Sequence, residues 1–442
     1  MLTHLKLDNF KIWRTTAPMR LAPLTLLLGT NSSGKSSLIQ SLLLIRQTVK
    51  SNDPNLDLNL GSPDALDSVT LGLFKDVLCR HGSASETTPA NQIGIEFRWS
   101  ESGTPADSAI FSARYRKGAG GSPELEYLRL GKDRQGFSVQ RRKSGIYRLQ
   151  LGSERNAVGQ RAEYRPQRSF AFSAAAIAAL GERGRAIQEI GPILLAELGK
   201  IIYLGPVRRL AQRDYVWAGH SPAHIGDDGA KAVDALIASG VAKQNAIRRG
   251  KPVPPEAALF TKTIEWLKAM NLADGLLVRP LGGSGRYELL IENQRELSNI
   301  KDVGVGVSQV IPVIVAALFA EPGHIVIVEE PESHLHPLAQ SQLAELFARV
   351  SADRNVQFIV ETHSEHLFRR LQTLVAKEDV PLSNCALYFV AREGMQARLQ
   401  TLEADEVGRI RNWPDKFFGD SVGEARAQAQ ALGQRQIGLA RG

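Results

Sequence analysis

Eight consecutive residues, Gly29-Thr30-Asn31-Ser32-Ser33-Gly34-Lys35-Ser36, match the pattern G-x-x-x-x-G-K-[ST]. The chemistry this pattern can do is phosphate binding. Its glycines let the backbone curl until successive N–H groups point at phosphate oxygens, and a following helix adds its N-terminal dipole. Lys35 then reaches the β and γ phosphates and the Ser36 hydroxyl binds Mg²⁺, with Asn31, Ser32, Ser33 and Ser37 completing the cradle. A chance match in a chain of this length has odds of roughly one in a hundred.

Three further stretches carry groups that could work on a bound phosphate. HIVIVEEP, from His324 to Pro331, is an apolar run ending in Glu329 and Glu330. On a buried parallel strand both acids would sit at the C-terminal sheet edge, where α/β folds bind ligands. Glu329 would hold Mg²⁺ and Glu330 would polarise an attacking water, whereas two solvated acids at a strand end are the plainer alternative. FIVETHS, from Phe358 to Ser364, delivers His363 to the same edge. It lies 33 residues beyond Glu330 with a helical stretch between, as a parallel βαβ step requires. DVGVGVSQ, from Asp302 to Gln309, sets Gly304, Gly306 and Ser308 ahead of an apolar helix. That is either a second anion-binding helix start or a glycine loop for tight packing.

These residues need a scaffold. Leu24 to Leu28 reads as a buried strand before the phosphate loop, and SLIQSLLLIRQTVK after it has helical spacing. From Gln92 to Leu151 short alternating segments separated by Gly and Ser predict an antiparallel meander. Phe170 to Lys200 reads as helical, IIYLG as a short strand, Asp228–Arg249 and Pro255–Met270 as helices, and GLLVRPL with RYELLIEN as a hairpin. The fold class is α/β.

The four motifs in this order resemble the ATP-binding-cassette class of P-loop ATPases, and more narrowly its RecF-like, SMC-like and overcoming-lysogenisation-defect-like branch. The resemblance covers the N-terminal 50 residues and about 300 to 400. It implies an ABC-type P-loop head using ATP and Mg²⁺, with Walker A at Gly29–Ser36, Walker B at Val326–Glu330, catalytic Glu330 and a switch His363. PESHLHP stands where the D-loop lies; no segment matches the Q-loop, for which Leu71 to Arg80 is the candidate region. Two departures stand out: Glu329 replaces the usual Asp, and VGVGVSQ replaces LSGGQ. Gly304 takes the signature serine's place, Gly306 that of a signature glycine, and Ser308 is the nearby hydroxyl. In this class two heads sandwich ATP, the signature loop acting in trans. The implied partners are therefore a second or further copy of the chain and a separate effector, a nuclease or toxin, with DNA as a further candidate.

Composition bounds the rest. The 442 residues carry 54 Lys and Arg against 46 Asp and Glu, a net charge of +8. Gly131 to Arg168 alone carries +7, with Arg141, Arg142, Lys143 and Arg148 on an expected hairpin. On alternating strands these would share one face, a phosphate-backbone track, a dock for an acidic partner, or a solvated edge. Two cysteines 306 positions apart exclude a disulfide scaffold and fit a reducing cytoplasm. Val310 to Ala320 is the longest apolar stretch and is too short for a bilayer, so no membrane partner is expected. The expected division is 1–90 and 276–420 for the two parts of the head, 91–168 for a β lobe with the basic segment, 169–275 for a helical insertion, and 421–442 for a flexible tail.

Overall fold

The computed structural model describes residues 1–414 except 54, 63–66, 81–88, 101–107, 133–135, 144, 152–156 and 168. The tail expected at 421–442 lies outside the described residues, as do Arg134, Arg155 and Arg168 of the basic segment.

The chain opens with β1 (Leu2–Phe10), β2 (Trp13–Thr15), β3 (Met19–Arg20) and β4 (Leu24–Gly29), then α1 (Lys35–Lys50) and the single turn α2 (Phe74–Val77). The meander follows as β5 (Gln92–Trp99), β6 (Ala109–Lys117), β7 (Pro123–Lys132), β8 (Phe137–Arg141), β9 (Tyr147–Leu151) and β10 (Ala157–Arg161). Next come α3 (Ala174–Ala179), α4 (Gly184–Gly199), β11 (Ile201–Leu204), β12 (Tyr215–Val216), α5 (Ala232–Arg248) and α6 (Ala258–Ala269). A small sheet, in which β13 (Gly275–Pro280), β14 (Arg286–Asn293) and β15 (Glu296–Asn299) join β12, leads into α7 (Val305–Phe319). The last part alternates: β16 (Ile325–Glu329), α8 (Pro337–Arg354), β17 (Gln357–Glu361), α9 (Glu365–Ala376), then the hairpin β18 (Cys385–Glu393) and β19 (Gln396–Thr401).

The central sheet has the order β11-β16-β17-β4-β18-β19. Its first five strands are parallel and β19 closes one edge antiparallel. Strand residues alternate between two apolar cores because successive side chains point to opposite faces. Leu26, Val328 and Val360 join α5 to α9 on one side, while Leu27, Ile327 and Ile359 join α1 and the antiparallel sheet on the other. The strands read as continuous apolar runs because both faces are covered.

Two expected boundaries do not hold. β1 pairs antiparallel with β5, so the meander extends into the first twenty residues and crosses the boundary at 90/91. β11 pairs in parallel with β16, so Ile201–Leu204, expected inside a helical insertion, forms an outer strand of the central sheet. A four-residue apolar run does not reveal which sheet it joins; pairing decides it.

Candidate functional site

The phosphate loop connects β4 to α1. Gly34 occupies the left-handed region at φ 113°, and a Cβ there would lie 2.7 Å from Ile12 Cγ2, so only glycine fits the turn against the β1–β2 connection. Trp13, fully buried, donates its indole N–H to the Gly34 carbonyl at 3.1 Å. Asn31 and Ser32 are exposed at the loop's tip, whereas the Ser33 side chain is turned inward. Lys35 is buried and donates to the carbonyls of Gly29 (3.1 Å) and Thr30 (2.9 Å), which holds its ammonium across the mouth of the loop. Burial lowers its pKa against the opposing pull of Glu361, Glu330 and Glu332. Around the loop lies a cavity of about 280 Å³ that also takes in Lys11, Gln40 and Glu361.

The acids and the histidine arrive from the neighbouring strands. One strand, β17, intervenes between β4 and β16, so Glu329 and Glu361 end side by side in register. Glu329 Oε1 accepts from the Tyr203 hydroxyl at 2.7 Å. Glu361 Oε1 accepts from the Ser36 hydroxyl at 3.1 Å and lies 3.7 Å from Lys35 Nζ. Burial and then the Glu329 carboxylate raise the Glu361 pKa. Glu330 turns off the strand in the left-handed region at φ 45°; its N–H donates to the Glu361 carbonyl at 2.8 Å and its Oε2 accepts from Ser333 at 3.1 Å. His363 opens onto a second cavity of about 340 Å³, and partial desolvation of its ring, then Lys35, lowers its pKa.

The structure thus brings Lys35, Ser36, Glu329, Glu330 and His363 to one sheet edge. The sequence reading missed four residues there: Tyr203, Arg208, Glu332 and Glu361. Arg208, 4% exposed, donates through Nη2 to the carbonyls of both Glu329 (2.8 Å) and Glu330 (2.9 Å). Burial lowers its pKa to about 10, against the pull of Glu332 and Glu330. Glu332 accepts the His363 backbone N–H at 2.6 Å, and its own pKa is raised by burial. Glu361 had a visible signal, an acid two residues before His363 at the end of an apolar strand. Arg208 and Tyr203 had none, because their nearness depends on β11 joining this sheet.

Other expected residues lie apart. Gly304, Gly306 and Ser308 line neither cavity. Gly304 caps α7, and the Ser308 hydroxyl donates to Val305 O at 2.9 Å. A Cβ at Gly306 would lie 2.7 Å from the His334 carbonyl, so this glycine allows the PESHLHP turn to pack on α7 within the same chain. The segment Leu71–Arg80 lines neither cavity; it packs behind the β1–β2 turn, Lys11 N donating to Val77 O at 2.7 Å and Cys79 N to Asn9 O at 2.9 Å.

The basic segment is partly compensated. Arg141 pairs with Glu124 at 2.9 Å, and Arg116 pairs with both Glu124 (3.0 Å) and Glu126 (3.2 Å). Those two acids sit on β7 just before the stretch whose charge was counted, and sheet pairing folds them back onto it. Arg142 and Arg148 are half-buried, and Lys143 is exposed.

The hydroxyl and carboxylates beside the loop are hard oxygen donors of the kind Mg²⁺ takes. Glu361 Oε2 is buried with no hydrogen-bond donor, and as carboxylates Glu329 and Glu361 can only accept. A cation between them would satisfy both, so the residues fit the ion. Among the described residues no three His, Cys, Asp or Glu side chains group to hold a metal by themselves, so phosphate and water oxygens would complete its shell. Among them too, no helix is long and apolar enough to cross a membrane.

A glycine loop between a parallel strand and a helix, with carboxylates on the next strands, defines a P-loop ATPase-type domain. Residues 24–369 match the family described as "AAA domain, putative AbiEii toxin, Type IV TA system", and the chain belongs to it. Residues 380–428 match a second family, described as a protein of unknown function (DUF3696). No curated protein matches the chain. Among solved structures, the chain is similar to an SMC head bound to the C-terminal winged-helix domain of ScpA, at 13% identity and TM-score 0.47, covering 92% of this chain and 98% of that one. An SMC head domain from Thermotoga maritima is similar at 13% identity and TM-score 0.42, with 91% and 99% covered. A third, an SMC head with an extended coiled coil bound to the C-terminal domain of ScpA, derived from Pyrococcus furiosus, stands at 14% and 0.43, with 91% and 96% covered. The family assignment rests on the domain match and the strand order.

Proposed function

We propose that this chain binds and hydrolyses ATP as a molecular switch, forming a nucleotide-dependent dimer or higher oligomer that controls a separate effector protein. The observation that carries the reading is the convergence of Lys35, Ser36, Glu329, Glu330 and His363 on one sheet edge. In this reading Lys35 and the loop N–H groups bind the phosphates, and Ser36 and Glu329 hold Mg²⁺, which would supply charge neutralisation at the γ-phosphate. Glu330 orients and deprotonates the attacking water, and His363, its pKa lowered, meets the γ-phosphate as a neutral imidazole. Gly304, Gly306 and Ser308 lie away from this site in their own chain, which supports their use by a second copy.

The family's description names a toxin of a toxin–antitoxin system, which supports effector control in bacterial defence over genome maintenance. The two cysteines are buried and not bonded to each other, which supports a reducing, cytoplasmic setting. A scaffold that sequesters its effector with incidental turnover is the second reading, favoured by the exposure of the signature loop at Val305. DNA engagement rests on Arg142 and Lys143, since Arg141 already has an acidic partner.

Glu330→Gln tests the switch. It should bind ATP, turn it over at least 100-fold more slowly, and accumulate as a dimer or larger species in light scattering. Turnover at the wild-type rate would refute the assignment of Glu330. Partner retention that survives Lys35→Ala, with only phosphate release lost, would favour the scaffold.

A further inference from the structure

We propose that Glu361 is a second metal-positioning carboxylate of the nucleotide site, and that it holds Ser36 in place until the metal arrives. The proposal deepens the ATP reading above and rests on it. Its basis is the way two groups of the phosphate loop converge on one oxygen while the other oxygen has no donor. Glu361 Oε1 accepts from the Ser36 hydroxyl at 3.1 Å and faces Lys35 Nζ at 3.7 Å, the two side chains that the phosphate-loop pattern assigns to metal and phosphate. The other oxygen, Oε2, is buried without a donor, and Glu329 is the register partner of Glu361 in the β16–β17 pairing. Glu361 is 4% exposed and Glu329 5%, so water does not screen the two carboxyls from each other.

Ser36, Glu329 and Glu361 would hold a divalent cation, whose charge would offset the two neighbouring carboxyls. Ser36 would then offer its oxygen to the ion, and Lys35, which now donates to the Gly29 and Thr30 carbonyls, would serve phosphate. Tyr203 fixes Glu329 from the far side, so the pair cannot relax by swinging Glu329 away. The strand end gives Glu361 little freedom either, because its carbonyl accepts the Glu330 N–H.

The test is Glu361→Gln in the full chain, with a fluorescent ATP analogue titrated in Mg²⁺ and in EDTA. Free Mn²⁺ is followed in parallel by electron paramagnetic resonance in the presence of a non-hydrolysable ATP analogue. We expect Mn²⁺ affinity to fall about 10-fold or more, and the gain in nucleotide affinity on adding Mg²⁺ to shrink with it. Affinity for metal-free nucleotide should stay unchanged or rise. A metal gain equal to wild type overturns the proposal and leaves ATP binding standing. Absence of nucleotide binding by the wild-type chain overturns both. Circular dichroism melting checks the fold; if the glutamine variant melts early, Glu361→Asp, which withdraws the carboxylate by one methylene, should show a smaller loss of Mn²⁺ affinity in the same direction. Wild-type Mn²⁺ affinity in a folded Glu361→Asp variant also counts against the proposal.

Discussion

The Trp13 indole N–H and the Gly34 carbonyl are joined at 3.1 Å, which ties the phosphate loop to the β1–β2 turn. Trp13 holds the Gly34 carbonyl while Lys35 holds those of Gly29 and Thr30, so the two grip different parts of the loop. Trp13→Phe removes this donor together with part of the buried ring. It should lower stability by about 1–2 kcal/mol, because the Gly34 carbonyl loses a buried partner. Nucleotide affinity should fall several-fold at the same time. Thermal melting and nucleotide titration check the two effects; unchanged affinity would show that the loop is rigid without Trp13.

Arg208 makes a different prediction, because it touches only the backbone of the two acids. Arg208→Gln should lower kcat for ATP hydrolysis about 10-fold or more while leaving the Kd for ATP within about threefold, and Arg208→Lys should restore part of the rate. In a Glu330→Gln background the same change should have little further effect, since residues acting as one unit are not additive. Equal loss of binding and turnover would make Arg208 a general support of the sheet edge.

Burial pushes the Cys385 thiol up to about 12, so at pH 8 it stays protonated and out of reach of thiol reagents. Cys385 opens β18 beside Leu24 of β4, so its labelling reports parting of the central sheet. We expect labelling only through such opening, slowed by nucleotide in proportion to its binding. Mass spectrometry of timed labelling reads this out. Labelling at the rate of an exposed thiol would contradict the pairing of β4 with β18.

For the basic segment, Glu124 and Glu126 set the expectation. Because they hold Arg116 and Arg141, duplex DNA should bind weakly, with log affinity falling against log salt at a slope below about 2. Fluorescence anisotropy across a salt series measures it. A steeper slope that is lost in Arg142→Glu/Lys143→Glu would establish the segment as a phosphate track.

Much of this site is legible in the chain because phosphate chemistry is local: Gly29 to Ser36 is one loop, and Glu329, Glu330 and His363 end two apolar runs. What escaped depends on pairing between distant segments. Tyr203 and Arg208 reach Glu329 from more than 120 positions away because β11 lies beside β16. The acids facing Arg141 were invisible for the same reason, since charge counted along the chain ignores the neighbouring strand. The antiparallel meander was legible from period-two alternation, but its continuation into β1 was not, because one strand carries no address for its partner.

The place of β4 in the central sheet has a consequence for how the protein is made. Its neighbours β17 and β18 are completed only at residues 361 and 393, more than 330 positions after β4 leaves the ribosome. The phosphate loop therefore cannot be shaped as synthesis begins; β4, an apolar strand, must wait unpaired or be shielded until nearly the whole chain exists. A truncated product ending before β17 would carry every residue of the loop and none of the sheet pairing that holds it, so nucleotide binding marks finished molecules alone.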